Sequence, residues 1–208
     1  MENFSGELRA VKLDLKACVV NINAEDGSGL IGVEYKGHKD LEPDAAFADG
    51  ILSFTQKPVN GVRLGVMAVN QPRITVTVGK DTFLNYVDIK VNAGNISIKG
   101  ISADWLSAFV SAGNINVSDS NFLKADIKAK AGNTNISNTN LNQVSVDVKT
   151  GNAKLNAAEE LDQYDIDCKV RNGNIRIGNE KSSGGYSSKG QDGSSIKVKA
   201  NTGSIEID

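Results

Sequence analysis

The sequence predicts an all-β fold, a right-handed single-stranded parallel β-helix with coils of about 19 residues. Two observations carry this. Gly94, Gly113, Gly132 and Gly151 fall nineteen residues apart, with Gly173 and Gly203 following after twenty-two and thirty, and a fixed period near 20 is the mark of a solenoid. Around each glycine, apolar residues recur at every second position, as in a strand with one buried face.

The columns are explicit when the repeats are aligned on their glycines. Seven before stand Val87, Leu106, Ala125, Val144, Ile166 and Ile196. Five before stand Ile89, Ala108, Ile127, Val146, Cys168 and Val198, and three before Val91, Val110, Ala129, Val148, Val170 and Ala200. Ile96, Ile115, Thr134, Ala153, Ile175 and Ile205 follow at plus two, and a further apolar set runs from Ile98 to Ile207 at plus four. β-Branched residues dominate these inward positions, which suits a strand. A weaker third strand is expected to carry Ile101 and Ala103, then Phe122, then Leu141.

Glycine also suits hairpin turns, so an antiparallel meander is the competing arrangement. Stacking is favoured because like residues share one phase. Asn95, Asn114, Asn133, Asn152 and Asn174 follow their glycines, Ser204 follows Gly203, and the asparagines are expected to ladder through their side-chain amides. The right hand follows from the handedness of crossovers between parallel strands. No six-residue apolar register of a left-handed helix is present.

The regular coils are placed at residues 81–208, with a Gly/Ser-rich loop insertion at 179–195 that holds Tyr186. Residues 1–80 are read as an irregular β region continuous with the solenoid and able to cap it. There, Val11, Leu13 and Leu15 alternate with Lys12, Asp14 and Lys16, and the phase slips at Ala17, which suggests a bulge. A turn at 24–29 leads to a returning strand, Leu30 to Tyr35. Residues 36–49 read as a surface loop around Pro43, Ile51 to Thr55 as a strand, and Arg73 to Val78 as a clear strand. An apolar stretch, Val62 to Val69, resists placement. The lengthened repeat at Ala153 to Tyr164 suits a helical turn or bulged corner. Because the chain stops just after Ile205 and Ile207, its C-terminal coil is expected to be bare and open to self-association.

Composition narrows function more by exclusion than by assignment. Net charge is −2 and the pI about 5.5, without the basic balance typical of nucleic-acid binding. Six Phe, four Tyr and one Trp leave a mainly aliphatic core. Cys168 sits in an inward column as a small hydrophobe, against a disulfide with Cys18 or a reactive thiol. The lone His38 and two cysteines have no metal-ligand spacing, so no cofactor or metal is expected. Neither an export signal nor a membrane span is visible in the sequence.

The stretches Val91-Asn-Ala-Gly-Asn-Ile-Ser-Ile98, Val110-Ser-Ala-Gly-Asn-Ile-Asn-Val117, Val170-Arg-Asn-Gly-Asn-Ile-Arg-Ile177 and Ala200-Asn-Thr-Gly-Ser-Ile-Glu-Ile207 resemble the bacterial "putative adhesin" family with β-strand repeats, DUF4097. The resemblance covers residues 73–208 well and the rest loosely. It implies a β-helix-like domain of surface or envelope-associated proteins and transfers no catalytic residue.

β-Helices often host polysaccharide hydrolases and lyases, whose chemistry needs acids at catalytic spacing. Asp88 and Asp126 would lie two coils apart, about 9–10 Å, with Asp147 nearby. Lys90, Lys128 and Lys169 interleave with them, as on a salt-laced surface. Phosphate-loop, dinucleotide, nucleophile-elbow and calcium-repeat motifs are absent. The candidate binding residues are Trp105 and Phe109, where an outward position carries an aromatic, together with Tyr186; Trp105 could instead fold over the third strand as core. The sequence therefore points to a non-catalytic, adhesin-like module of the bacterial envelope recognising a protein or glycan. A carbohydrate-active enzyme and a cytosolic assembly protein are the alternatives.

Overall fold

A computed structural model describes residues 2–3, 6–58, 71–191 and 193–208. The fold is all-β, with 69% of residues in strands of one curled, open sheet and, among the described residues, only two short 3-10 turns, Lys39–Leu41 and Leu161–Gln163. The stretch Val62 to Val69 lies outside the described residues.

Two ladders of parallel strands make up the regular part. In the first, Phe83–Ala93, Ser102–Ala112, Asn121–Ala131 and the later part of Thr134–Thr150 pair side by side, so Val87, Leu106, Ala125 and Val144 are in register. In the second, Ile96–Lys99, Ile115–Ser118, the start of Thr134–Thr150 and Ala153–Ala157 pair in the same way. The pairings are parallel, which excludes the meander. The inward columns of both ladders merge into a single aliphatic cluster, and Val87, Ile89, Val91, Ile96 and Ile115 are fully buried within it. The expected third strand is not separate. Ala103, Phe122 and Leu141 belong to the same long strands as the columns that follow them, and pair in the first ladder.

The glycine column is stacked. A Cβ on Gly113 would stand 1.8 Å from the Gly94 carbonyl oxygen, one on Gly132 1.8 Å from that of Gly113, and one on Gly151 1.9 Å from that of Gly132. These glycines also hold φ near +140°, so backbone conformation and the close approach both demand them. The asparagine ladder differs from the expected amide-to-amide form. The Oδ1 atoms of Asn95, Asn114 and Asn133 accept from the backbone N–H groups of Asn114, Asn133 and Asn152 at 2.8, 2.8 and 2.9 Å. The corner backbone donors need partners, and an oxygen one rung away is nearer than another side chain.

Spatial order departs from chain order at both ends. Ser194–Thr202 pairs with Thr134–Thr150 on one side and Tyr164–Asn172 on the other. Ile205–Ile207 likewise lies between Ala153–Ala157 and Ile175–Ile177. The last rung in sequence is therefore interior, and Ile205 and Ile207 are buried, so the expectation of a bare C-terminal coil is corrected. The true edge rung, 164–177, is flanked by antiparallel Gly185–Ser188 and Glu180–Ser182. The insertion read as a loop is thus partly strand.

The other end mirrors this. Ala10–Ala17 lies between Ile51–Thr55 and Phe83–Ala93, and Val19–Glu25 between Arg73–Gly79 and Ile96–Lys99. The phase slip at Ala17 is a corner rather than a bulge, because Cys18 takes the glycine place and its carbonyl faces Gly94. Residues 36–49 are not merely a loop: Leu41 is buried, and Asp44–Ala48 is an antiparallel edge on Ile51–Thr55. Ile31–Lys36 flanks Arg73–Gly79 in the same manner.

Candidate binding face

The outer surface of the first ladder carries the side chains that could meet a ligand. Strand alternation sends every second residue outward, and parallel register lines these up in rows across the rungs. One row runs Tyr86, Trp105, Lys124, Gln143. A second runs Asp88, Ser107, Asp126, Ser145, Lys197, Asp167, and a third Lys90, Phe109, Lys128, Asp147, Lys199, Lys169.

Trp105 is 40% exposed and does not fold into the core. Its indole Nε1–H donates to Asp126 Oδ2 at 3.2 Å, which holds the ring against the sheet. Phe109 is half-buried in the third row, and the Lys130 ammonium lies 5.4 Å from its ring centroid, a cation–π contact. Two further apolar side chains stand out on the same strands, Phe83 at 54% and Leu123 at 52% exposed. Tyr186 lies elsewhere: it pairs opposite Cys168 on the C-terminal edge and packs against the core cluster. The sequence signal for Trp105 and Phe109 was an aromatic at an outward phase. Leu123 fell where the strand bends and carried no such signal.

The three acids do not assemble into a reacting pair. Asp88 and Asp126 are two rungs apart, with Ser107 between them. Asp126 already binds the Trp105 indole and lies 3.6 Å from Lys124 Nζ. Asp147 stands between Lys128 and Lys199 in the next row. Asp88 Oδ1 is shielded from solvent and has no hydrogen-bond partner among the described residues, so it is poorly placed to meet a substrate. No cluster of three metal-ligating side chains occurs among the described residues.

Both cysteines are free and buried, and burial pushes each thiol up to about 12. The glycines and asparagines of the corner column, Gly173, Asn174 and Gly203 included, build the scaffold rather than the outer face of the ladder. A second corner went unread in the sequence: Gly100, Asp119 and Asn138, again nineteen apart, all hold left-handed φ, and Asn138 Nδ2 donates to Asp119 Oδ1 at 2.7 Å. Gly, Asp and Asn are the residues that tolerate this conformation, so the pattern was there to be found. Near the C-terminus, Arg176 bridges Glu206 and Asp208, and Lys154 with Arg176 holds the Glu206 carboxyl down at about 2.

These features define a class: an all-β repeat protein that offers a flat, mixed-charge, aromatic-bearing face. The chain belongs to the Toastrack DUF4097 family, whose model matches residues 8–208. Its fold is similar to that of a "putative cell adhesion protein" from Clostridium sporogenes ATCC 15579, with 15% identity over 99% of this chain and 97% of that one, at a TM-score of 0.61. It is also similar to a "putative adhesin" from Bacteroides fragilis NCTC 9343, with 15% identity over 100% and 95% of the two chains, at a TM-score of 0.53. No curated protein matches the chain in sequence. Among the described residues, no helix is long and apolar enough to cross a membrane.

Proposed function

We propose that this protein is a non-catalytic binding or display module of the bacterial cell envelope, recognising a protein or glycan through the outer face of its first ladder. The observation that carries the reading is Trp105, an exposed indole pinned by Asp126 on a rigid sheet. An aromatic surface with its polar edge already satisfied is suited to stacking on a ligand. The names of the two similar folds, both bacterial, point the same way. The ladders are taken as walls of a right-handed coil, a β-helix, because crossovers between parallel strands turn that way in nearly all proteins. Within it, the N-terminal region is continuous with the repeating body of 81–208, its rung at 10–25 extending the ladders and its other strands closing that end.

The test is a glycan and envelope-protein binding screen with wild-type chain and Trp105→Ala. Binding that is lost in the variant, with the unfolding midpoint unchanged, is the expected result. A polysaccharide-cleaving activity abolished by Asp88→Ala, Asp126→Ala or Asp147→Ala would defeat the reading and favour an enzyme. Surface labelling of intact cells tests the envelope location, and protection of the protein from the label counts against it.

A further inference from the structure

The outer face is not electrically uniform. On the four adjoining strands Asn121–Ala131, Thr134–Thr150, Ser194–Thr202 and Tyr164–Asn172, twelve outward positions face solvent side by side. They are Asp126, Lys128 and Lys130; Ser145, Asp147 and Lys149; Lys197, Lys199 and Asn201; and Asp167, Lys169 and Arg171. Seven are cations and three are carboxylates, a local excess of +4 in a chain whose net charge is −2. The seven cations are all exposed. Lys169 reaches Asp167 at 3.8 Å, while the other six make no ion pair with any described residue. The stacking of rungs gathers them: Lys197 and Lys199 come from the last rung in sequence and lie beside Ser145 and Asp147.

We propose that this field binds an acidic polysaccharide, a chain of sugars bearing carboxylates, with the aromatic row at its border stacking on the sugar rings. The proposal rests on the binding-module reading above and names its ligand class. The argument is charge complementarity with a mixed chemistry. Rungs about 4.8 Å apart and outward residues about 7 Å apart along a strand set the cations in a lattice roughly 14 Å on a side. A flexible anionic chain can lie across such a lattice. Interspersed Asp126, Asp147 and Asp167 repel any polyanion, but they accept hydrogen bonds from sugar hydroxyls, which every uronate ring offers and a DNA backbone lacks. Phe109 under Lys130, and Trp105 two rows away on the same strand, supply ring faces at the margin. Nucleic-acid binding normally accompanies a basic domain, and this one is acidic overall.

The probe is polygalacturonate, compared by calorimetry at low salt with its methyl ester, which keeps the sugar rings and removes the charge. Polygalacturonate is expected to bind, and the ester to bind about tenfold more weakly or worse. The triple variant Lys128→Gln, Lys149→Gln, Lys199→Gln should weaken polygalacturonate about tenfold and leave the ester unchanged, and Trp105→Ala should weaken both. All four side chains are outward, so an unchanged unfolding midpoint verifies the fold of the variants. Equal affinity for acid and ester, no binding of the acid, or insensitivity to the triple variant overturns the proposal. So does tighter binding to phosphatidylglycerol vesicles or to single-stranded DNA of matched charge. The two readings fail separately: an uncharged glycan bound through Trp105 removes the acidic specificity and leaves the module. New reducing ends in the polygalacturonate would remove the module.

Discussion

Replacing Gly132 by alanine tests the stacked corner directly. Gly132 sits mid-ladder at φ +139°, where an L-residue with a side chain is strained by about 1–3 kcal/mol. The new Cβ would also lie 1.8 Å from the Gly113 oxygen and 2.6 Å from its carbon, both backbone atoms that cannot swing aside. Relief requires the corner to part from the rung below. That loosens bonds such as Gly113 N–H to Ala131 O and Ile115 N–H to Asn133 O, each 2.9 Å, at about 1 kcal/mol apiece. The sum is a loss of about 3–5 kcal/mol, against a total stability of about 5–15 kcal/mol for a typical domain. Gly184→Ala is the control: φ there is +89°, but nothing lies within 4 Å of the added carbon. It should cost only the backbone strain, about 1–2 kcal/mol. Urea unfolding monitored by far-UV circular dichroism measures both. A Gly132→Ala variant within about 1 kcal/mol of wild type, or no worse than Gly184→Ala, would refute the stacked-corner account.

Four further outcomes follow from individual contacts. Gln56→Leu should cost about 2–4 kcal/mol in the same urea assay, because the Gln56 Oε1 accepts from the Lys16 and Ala17 N–H groups and its Nε2 donates to Leu41 O, all partly or fully buried. Thr134→Val should stabilise by about 1–2 kcal/mol, since Thr134 Oγ1 is buried in an aliphatic column with no partner among the described residues; an unchanged or lowered midpoint would contradict this. Neither Cys18 nor Cys168 should react with a disulfide reagent at pH 8 in the native protein, whereas both should titrate after unfolding, because burial holds each thiol near 12. Glu206 is depressed from 4.5 to about 2, so it contributes stability above pH 4.5 that fades as pH falls towards 2. The gap in unfolding midpoint between wild type and Glu206→Gln should therefore be open at pH 6 and closed near pH 2.

The columns of residues 87–155 were legible because the period is strict and each inward position is Ile, Val, Leu or Ala with few exceptions. The rung at 10–25 was not recognised as a repeat, since Cys18 stands where the others have glycine. Only the geometry shows why this is allowed. Cys18 supplies the carbonyl that faces Gly94 without itself holding the left-handed φ of the glycine column. Rung order was illegible for a different reason. A column position fixes which face a residue presents, and it says nothing about which rung is its neighbour. Ile196 and Ile166 fit equally well beside Val144, so the chain alone could not reveal that 194–207 precedes 164–177 in space. The binding face was legible in part: Trp105 and Phe109 broke an outward polar row, and the cations shared outward columns, but which of them stand side by side depends on that hidden order.

The inversion at both ends also bears on how an open sheet of this kind avoids growing. A row of parallel strands ends in unpaired N–H and C=O groups that invite another chain. If sequence order were kept, the rungs nearest the termini would form those edges and fray first. Here the rungs 10–25 and 194–207 are each paired on two sides, and the edges fall to Ile51–Thr55 with Arg73–Gly79 and to 164–177. Each edge is then covered by short antiparallel strands from its own adjoining segment: Ile31–Lys36 and Asp44–Ala48 at one end, Glu180–Ser182 and Gly185–Ser188 at the other. Antiparallel addition breaks the register that a stacking copy would need, and the strands at the C-terminal end are only three and four residues long. The same device that seals the ladder sets Lys197 and Lys199 directly beside Ser145 and Asp147, so the cations of the last rung in sequence lie inside the ladder and not along its edge.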